Sequence, residues 1–421
     1  MDEFLQRLPK VELHAHLNGS LNIASIYELG AGLYGGNSPE FLQLCEHFIK
    51  IDVLNLDDCF EKFKFVHHLT ATKQGLHLAT MLVIRDFVKD HVVHLELRTT
   101  PKTNDWMTRN ESLLCVLQAI QEAQQKYNIN VKLLPSIDRA QSLADAAETL
   151  DLVLKLRPQY PDIIAGLDFS GNPVSGKFSN FKAVLEKARQ NGLKLAVHCA
   201  EIKNPSEIKD MIAFGMERCG HGTFLNDEQL QSLGRRNISV ECCLTSNVRC
   251  GSVTSFADHH LKRILNVNNP VVLCTDDSGI FDTTLTHEYE IAVQTFGLKY
   301  KDILALSMQS VEHAFVNEDE RAALRKKINQ YFDENKKLLQ IPQLNGRSPV
   351  CIRRCMFNEN DDLHSLSQYV QTLLGGRALL ALPIFLLFTD AVSPVASVGT
   401  DSVLVLIQVV RCLLKLSSIE K

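Results

Sequence analysis

Two imidazoles stand two residues apart in "VELHAHLNGS", at His14 and His16. In a strand, residues two apart project to one face, so this pair can grip a single ion while Ala15 points into the packing. His198 in "AVHCAE" offers a third neutral nitrogen, and Asp276 in "CTDD" a carboxylate oxygen. Three histidines and an aspartate suit one Zn2+ per chain and leave a position for water. Bound zinc lowers the pKa of that water from about 15.7 to roughly 7, so the chemistry on offer is attack by an activated water.

Three more residues complete an acid–base set. Glu201 follows His198 where the chain leaves its strand, so its carboxyl can lean over the metal as a proton donor without ligating it. His221 sits between two glycines in "CGHGTF", which let the backbone approach closely and leave the imidazole facing the cavity. Asp277 is adjacent to Asp276, and neighbouring strand residues diverge, so it has a separate role, accepting a hydrogen bond from substrate or from the attacking water.

These residues need a scaffold that brings distant segments to one point. Eight β-rich runs supply it: "KVELHAH", "VVHLELR", "VKLLPSID", "IIAGLDFS", "LKLAVH", "MERCGHG", "ISVECCL" and "VVLCTDD". They alternate with stretches of helical period such as "SNFKAVLEKARQNG", whose Asn-Gly is a helix stop. The pattern predicts an α/β fold of the (β/α)8 TIM-barrel type, with the titratable residues at the carboxyl ends of the strands around one mouth. A doubly wound sheet is the alternative, but no strand leads into Gly-x-Gly-x-x-Gly or a phosphate loop. Residues 28 to 58 are too long for an ordinary connection and predict extra helices capping the C-terminal face.

Composition narrows the partners. With 421 residues and 45% hydrophobic content the chain can bury a large core. A formal net charge of -5 offers no basic field for nucleic acid, so an anionic ligand must be caught locally. The charged start "MDEFLQRLPK" does not read as a secretory signal, which makes the cytoplasm the expected location, and a monomer is the expected state. Most of the 12 cysteines lie in apolar segments and are expected to be reduced core residues. Cys351 and Cys355 have a knuckle's spacing without a second pair, and are read as free thiols. A boundary near residue 340 divides the metal-dependent barrel expected at 1–340 from an extension at 341–421. That extension is apolar but broken by charges and prolines. Its uncharged run 378–389 is shorter than the ~18 to 20 residues that span a bilayer, so no membrane segment is expected.

The ordered blocks "HAHLNGS", "LDFSGNP", "VHCAE", "GHGTFL", "LTSN" and "CTDD" resemble the adenosine deaminase family of zinc amidohydrolases over residues 1 to about 335. The resemblance implies hydrolytic removal of the 6-amino group of a purine. It implies zinc on His14, His16, His198 and Asp276, with His16 also meeting the substrate. Glu201 is then the acid at ring nitrogen 1, His221 orients and activates the water, and Asp277 holds ring nitrogen 7 or the water. Gly171 offers its backbone amide to the purine. The nucleic-acid cytidine deaminase blocks, His-x-Glu and Pro-Cys-x-x-Cys, are absent.

Substrate choice turns on residue 18. Adenosine deaminases resemble "HLDGS" here, whereas this chain has Asn18. A carboxylate would repel a phosphate, while an amide can donate to it. Thr99, Thr100 and Lys102 of "RTTPK", with His67 of "VHHLT", are groups that could hold a phosphate, and the resemblance makes Pro101 a further substrate contact and gives Asp138 the ribose. The chain therefore is similar to the adenosine deaminase-like branch, the N6-methyl-AMP deaminases, and is expected to take a free purine nucleotide. Two positions depart from that branch, which carries Ser-Gly-Asp where this chain has Gly171-Asn172, and Arg at Lys102. Lysine keeps the charge without the bidentate fork. The alternatives are an adenosine deaminase, or a purine-binding barrel without turnover.

Overall fold

The computed structural model describes residues 1–34, 38–53 and 55–339. The expected extension 341–421, with Cys351, Cys355 and the apolar run, lies outside the described residues. Eight strands form one parallel sheet in sequence order: β1 (Lys10–His16), β2 (Val92–Thr99), β3 (Asn130–Asp138), β4 (Gly166–Ser170), β5 (Lys194–Cys199), β6 (Arg218–His221), β7 (Ser239–Cys242) and β8 (Val271–Leu273). All neighbouring pairs from β1 to β8 are parallel. The circle closes where Asp276 bridges Ala15: its amide donates to the His14 carbonyl at 2.8 Å and its carbonyl accepts from His16 at 2.9 Å. This is the expected (β/α)8 barrel.

One strand is shorter than its sequence suggests. "VVLCTDD" ends as a strand at Leu273, and Asp276 lies in the left-handed region at φ 64. Glu12 explains the break. Its carboxylate accepts from the backbone amides of His14 at 2.8 Å and Thr275 at 3.0 Å, where ladder bonds would otherwise run. A carboxyl side chain thus fills the seam, and Asp276 is freed from strand alternation.

Outside the strands, Leu, Ile and Val pack against the ring of helices, and the described cysteines are free thiols, buried apart from half-buried Cys250. The predicted helix after β4 runs over Phe178–Gln190 and is capped at Asn191. Between β1 and β2, the ordinary barrel helix Lys73–Lys89 is preceded by Ile23–Tyr34, Pro39–Lys50 and Leu56–Leu69, which supply the additional helices expected over 28–58. The third of these carries His67 to the rim. Among the described residues, no helix is long and apolar enough to cross a membrane.

Candidate active site

The barrel lumen is ionic rather than apolar. Arg98 donates to Asp168 at 2.9 Å, to Glu241 at 2.7 Å and to the Leu13 carbonyl at 2.9 Å. Arg218 donates to the same Glu241 oxygen at 2.6 Å and pairs with Glu96 at 2.7 Å. All five side chains are wholly buried. Burial opposes the charge of Asp168, but Arg98 and His198 overcome it and hold the carboxyl below its ordinary range. Glu241 is likewise held low, burial being outweighed by Arg98, Arg218 and His14.

This layer aims the histidines above it. Glu241 Oε2 lies 2.8 Å from His14 Nδ1, which points Nε2 at the mouth. Asp168 Oδ1 faces His198 Nδ1 at 3.3 Å and does the same for that ring. A carboxylate behind each imidazole fixes its orientation and raises its basicity as a ligand. Ser246 donates to Asp276 Oδ2 at 2.7 Å, leaving Oδ1 for the cavity.

The four residues expected as ligands converge. His16 Nε2 is 3.2 Å from Nε2 of both His14 and His198, and 3.4 Å from Asp276 Oδ1; His14 Nε2 is 3.2 Å from that same oxygen. Bonds of ~2.0 to 2.1 Å in a tetrahedron put its corners ~3.3 to 3.4 Å apart, so this spacing fits a small cation. A second set, His14, His198, His221 and Asp276, also gathers donor atoms within 4.8 Å of one another. His16 and His221 thus compete for one place.

Three residues around this point adopt left-handed backbone without being glycine: Ala200 at φ 56, His221 at φ 59 and Asp276 at φ 64. Such conformations cost of order 1–3 kcal/mol each and are kept where the surroundings dictate them. The glycines beside His221 let the backbone approach closely, a Cβ at Gly220 falling 3.1 Å from His198 Cα, and Gly222 is left-handed at φ 62; His221 itself turns as well, with His260 Nε2 at 2.8 Å from its carbonyl.

Glu201 Oε1 stands 4.0 Å from His221 Nε2. Burial, and then the negative Asp276, push the Glu201 carboxyl up to about 8, so it is protonated at neutral pH as a proton donor must be. Asp277 is buried, its carboxyl pushed up by burial and then by the negative Asp276, with Oδ1 unpartnered among the described residues and set against Gly19. Gly19 makes room for it: a Cβ there would fall 1.7 Å from that oxygen. Gly19→Ala is therefore expected to displace the Asp277 carboxylate and lower kcat/KM by about 10²-fold, as for a misplacement of ~1 Å. Steady-state kinetics check this, and wild-type rates would remove Asp277 from the site.

At the rim, Lys102 Nζ lies 3.5 Å from His67 Nε2, joining the end of β2 to the cap helix as the sequence suggested. Thr99 ends β2, with half-buried Thr100 and buried Pro101 just beyond. Gly171, at φ 101, lies against Asp138; a Cβ there would meet Asp138 Oδ1 at 2.1 Å. Asn18 departs from expectation in one respect. One of its amide hydrogens goes to Thr70 Oγ1 at 2.7 Å, leaving a single N–H for a ligand.

Sequence reasoning missed Glu12, Thr70, Asp168, Arg218, Glu241, Asn247 and His259, and gave Arg98 no role. A signal existed for the lumen: in "HLELR", His94, Glu96 and Arg98 alternate with leucines. Charged residues at period two in an otherwise apolar parallel strand mark a polar barrel interior.

A closed parallel barrel with histidines, an aspartate and a protonated glutamate at its carboxyl mouth defines a metal-dependent hydrolase of the amidohydrolase kind. The chain belongs to the adenosine deaminase family: the family model described as "Adenosine deaminase" matches residues 9–331. It is 52% identical over 334 residues to the "Adenosine deaminase-like protein" of Drosophila melanogaster, covering 79% of this chain and 99% of that one. It is 36% identical over 340 residues to the "N6-Methyl-AMP deaminase" of Homo sapiens, covering 78% and 94%. Among solved structures, one described as "The structure of the ADAL-IMP complex" superposes with a TM-score of 0.73 at 36% identity, over 79% of this chain and 100% of the other. The protein is a hydrolytic deaminase.

Proposed function

We propose that this deaminase acts on a free purine nucleotide, converting N6-methyl-AMP and water to IMP and methylamine. The observation that carries the choice of substrate is the rim: an amide at Asn18, and Lys102 meeting His67 at 3.5 Å, where a 5′-phosphate would sit. The relatives named N6-methyl-AMP deaminase, and the related structure with IMP, support the same reading.

His14, His16, His198 and Asp276 would hold the ion, the separations of 3.2 to 3.4 Å at His16 fitting that place. Three imidazoles with a carboxylate are a zinc donor set, and zinc there supplies the Lewis acidity that brings a water's pKa near neutrality. The chain's own residues do the rest. Glu201 protonates ring nitrogen 1, which an aromatic ring needs before carbon 6 accepts a nucleophile. His221 and Asp277 fix the direction of the attacking water, and Asp277 with the Gly171 amide holds the purine edge. Lys102, His67, Thr99 and Thr100 take the phosphate end, with Asp138 on the ribose and Pro101 and His16 against the substrate. Residues 1–340 form this deaminase domain and 341–421 an extension; the protein works as a monomer in the cytoplasm, without nucleic acid or membrane.

Assay of the purified, zinc-loaded protein on N6-methyl-AMP and adenosine tests the reading. Expected is a higher kcat/KM for the nucleotide; a preference for adenosine overturns it. Turnover of neither, with less than half an equivalent of zinc retained on purification and no activity restored by adding it, would mark a silent purine-binding barrel. Asn18→Asp is expected to lower kcat/KM for the nucleotide by about 10- to 10³-fold and to spare adenosine. Like charges ~4 Å apart at an effective dielectric near 20 repel by up to ~4 kcal/mol.

A further inference from the structure

The polar contacts behind His221 run in one direction only. The backbone N–H of Leu261 donates to Nδ1 of His259 at 3.0 Å, so that nitrogen carries no proton. A neutral imidazole has one N–H, which places the proton of His259 on Nε2. That nitrogen lies 3.0 Å from Oδ1 of Asn247, and Nδ2 of Asn247 lies 3.4 Å from Nδ1 of His221. Turning the amide over would set its NH2 against the N–H of His259, donor to donor. The amide is therefore fixed, its NH2 donates to Nδ1 of His221, and the proton of His221 is left on Nε2, the nitrogen facing Glu201.

The environment enforces this order. His259, Asn247 and His221 are buried, at 1%, 2% and 2% exposure, so water does not offer the reversed arrangement a substitute partner. His260 stacks on His259 with ring centroids 4.1 Å apart, and reaches the His221 carbonyl. One histidine thus sets the ring of His221 and the next its backbone. Burial also drives His259 down to about 2, in keeping with a neutral ring.

We propose that His259 and Asn247 are positioning residues that lock His221 in its Nε2–H tautomer, so that His221 serves the reaction as a hydrogen-bond donor and not as a base or metal ligand. The lock settles the competition between His16 and His221, because a protonated Nε2 cannot ligate and the fourth place falls to His16. It also narrows the part His221 plays: it points the water, or steadies negative charge on the attacking oxygen, by donating. The role in turnover rests on the deaminase reading; the tautomer does not.

The test is two-bond 15N–1H correlation NMR of the zinc-loaded protein labelled with [15N]histidine, the His221 ring being assigned by its loss in His221→Gln. Expected is a pyridine-type Nδ1 and a pyrrole-type Nε2 at His221. Asn247→Asp replaces the NH2 with an acceptor, so it should invert the pattern and lower kcat by about 10²- to 10³-fold, the usual effect of losing one donor to a developing anion. His259→Leu should leave a mixture of tautomers, while His259→Gln, which keeps a donor toward Asn247, should retain the native one. Protonated Nδ1 in the wild type, or one unchanged pattern across Asn247→Asp and His259→Leu, overturns the proposal. Should Asn247→Asp fail to fold, the wild-type and His259→Leu spectra still decide. The expected spectrum in a protein that turns over neither substrate would sink the deaminase reading and leave the lock standing.

Discussion

Glu201→Gln is expected to lower kcat by about 10²- to 10⁴-fold, the range for loss of a general acid, with zinc content and melting temperature close to wild type. The amide keeps the shape and a hydrogen-bond donor but has no proton to give. The effect should fall on kcat rather than KM, because the proton moves in the transition state. The pH profile follows from the same group. Its carboxyl is pushed up to about 8, so the acid form is present below that pH and is lost as pH rises through it. A cation at the nearby imidazoles draws the value down, so the alkaline limb of kcat/KM should lie at or below pH 8 and vanish in Glu201→Gln. A variant within tenfold of wild type would assign the proton to another residue.

The second large effect lies beneath the site. Arg98→Leu is expected to destabilise the fold by about 3–5 kcal/mol in urea unfolding, because it leaves buried carboxylates with unmatched charge. Among the described residues Asp168 would keep His198 and the Ser170 hydroxyl at contact distance, and Glu241 would keep Arg218 and His14. Since those two carboxylates aim His198 and His14, zinc affinity should fall as well, by about 10- to 100-fold. Unfolding midpoints and zinc titration measure the two losses separately. Unchanged zinc affinity in a folded variant would mean that the lumen layer supports the barrel without orienting the ligands.

Chain and fold agree most closely where the signal is local. Strand alternation placed His14 and His16 on one face, and the structure has both Nε2 atoms 3.2 Å apart. The order of strands and the long β1–β2 connection were legible because hydrophobic period and connection length act locally. The sequence separately named Lys102, just beyond β2, and His67, in the cap, and the fold sets them 3.5 Å apart.

What the sequence determined, then, was the set of groups and the scaffold: eight strands, a donor set for one metal, an acid and an amide at Asn18. Tertiary structure alone decided how they are aimed. Asp276 turns its Oδ1 to the His14 and His16 rings because Glu12 interrupts the seam and lets the backbone reach φ 64. His14 and His198 present Nε2 because Glu241 and Asp168 stand behind them, held charged by Arg98 from another strand. His221 carries its proton on the cavity side because Leu261, His259 and Asn247 pass a donor along to it. The reason is common to all three: a side chain's direction and a ring's proton are set by partners far away in sequence, and pattern along a single chain reports only neighbours a few residues apart.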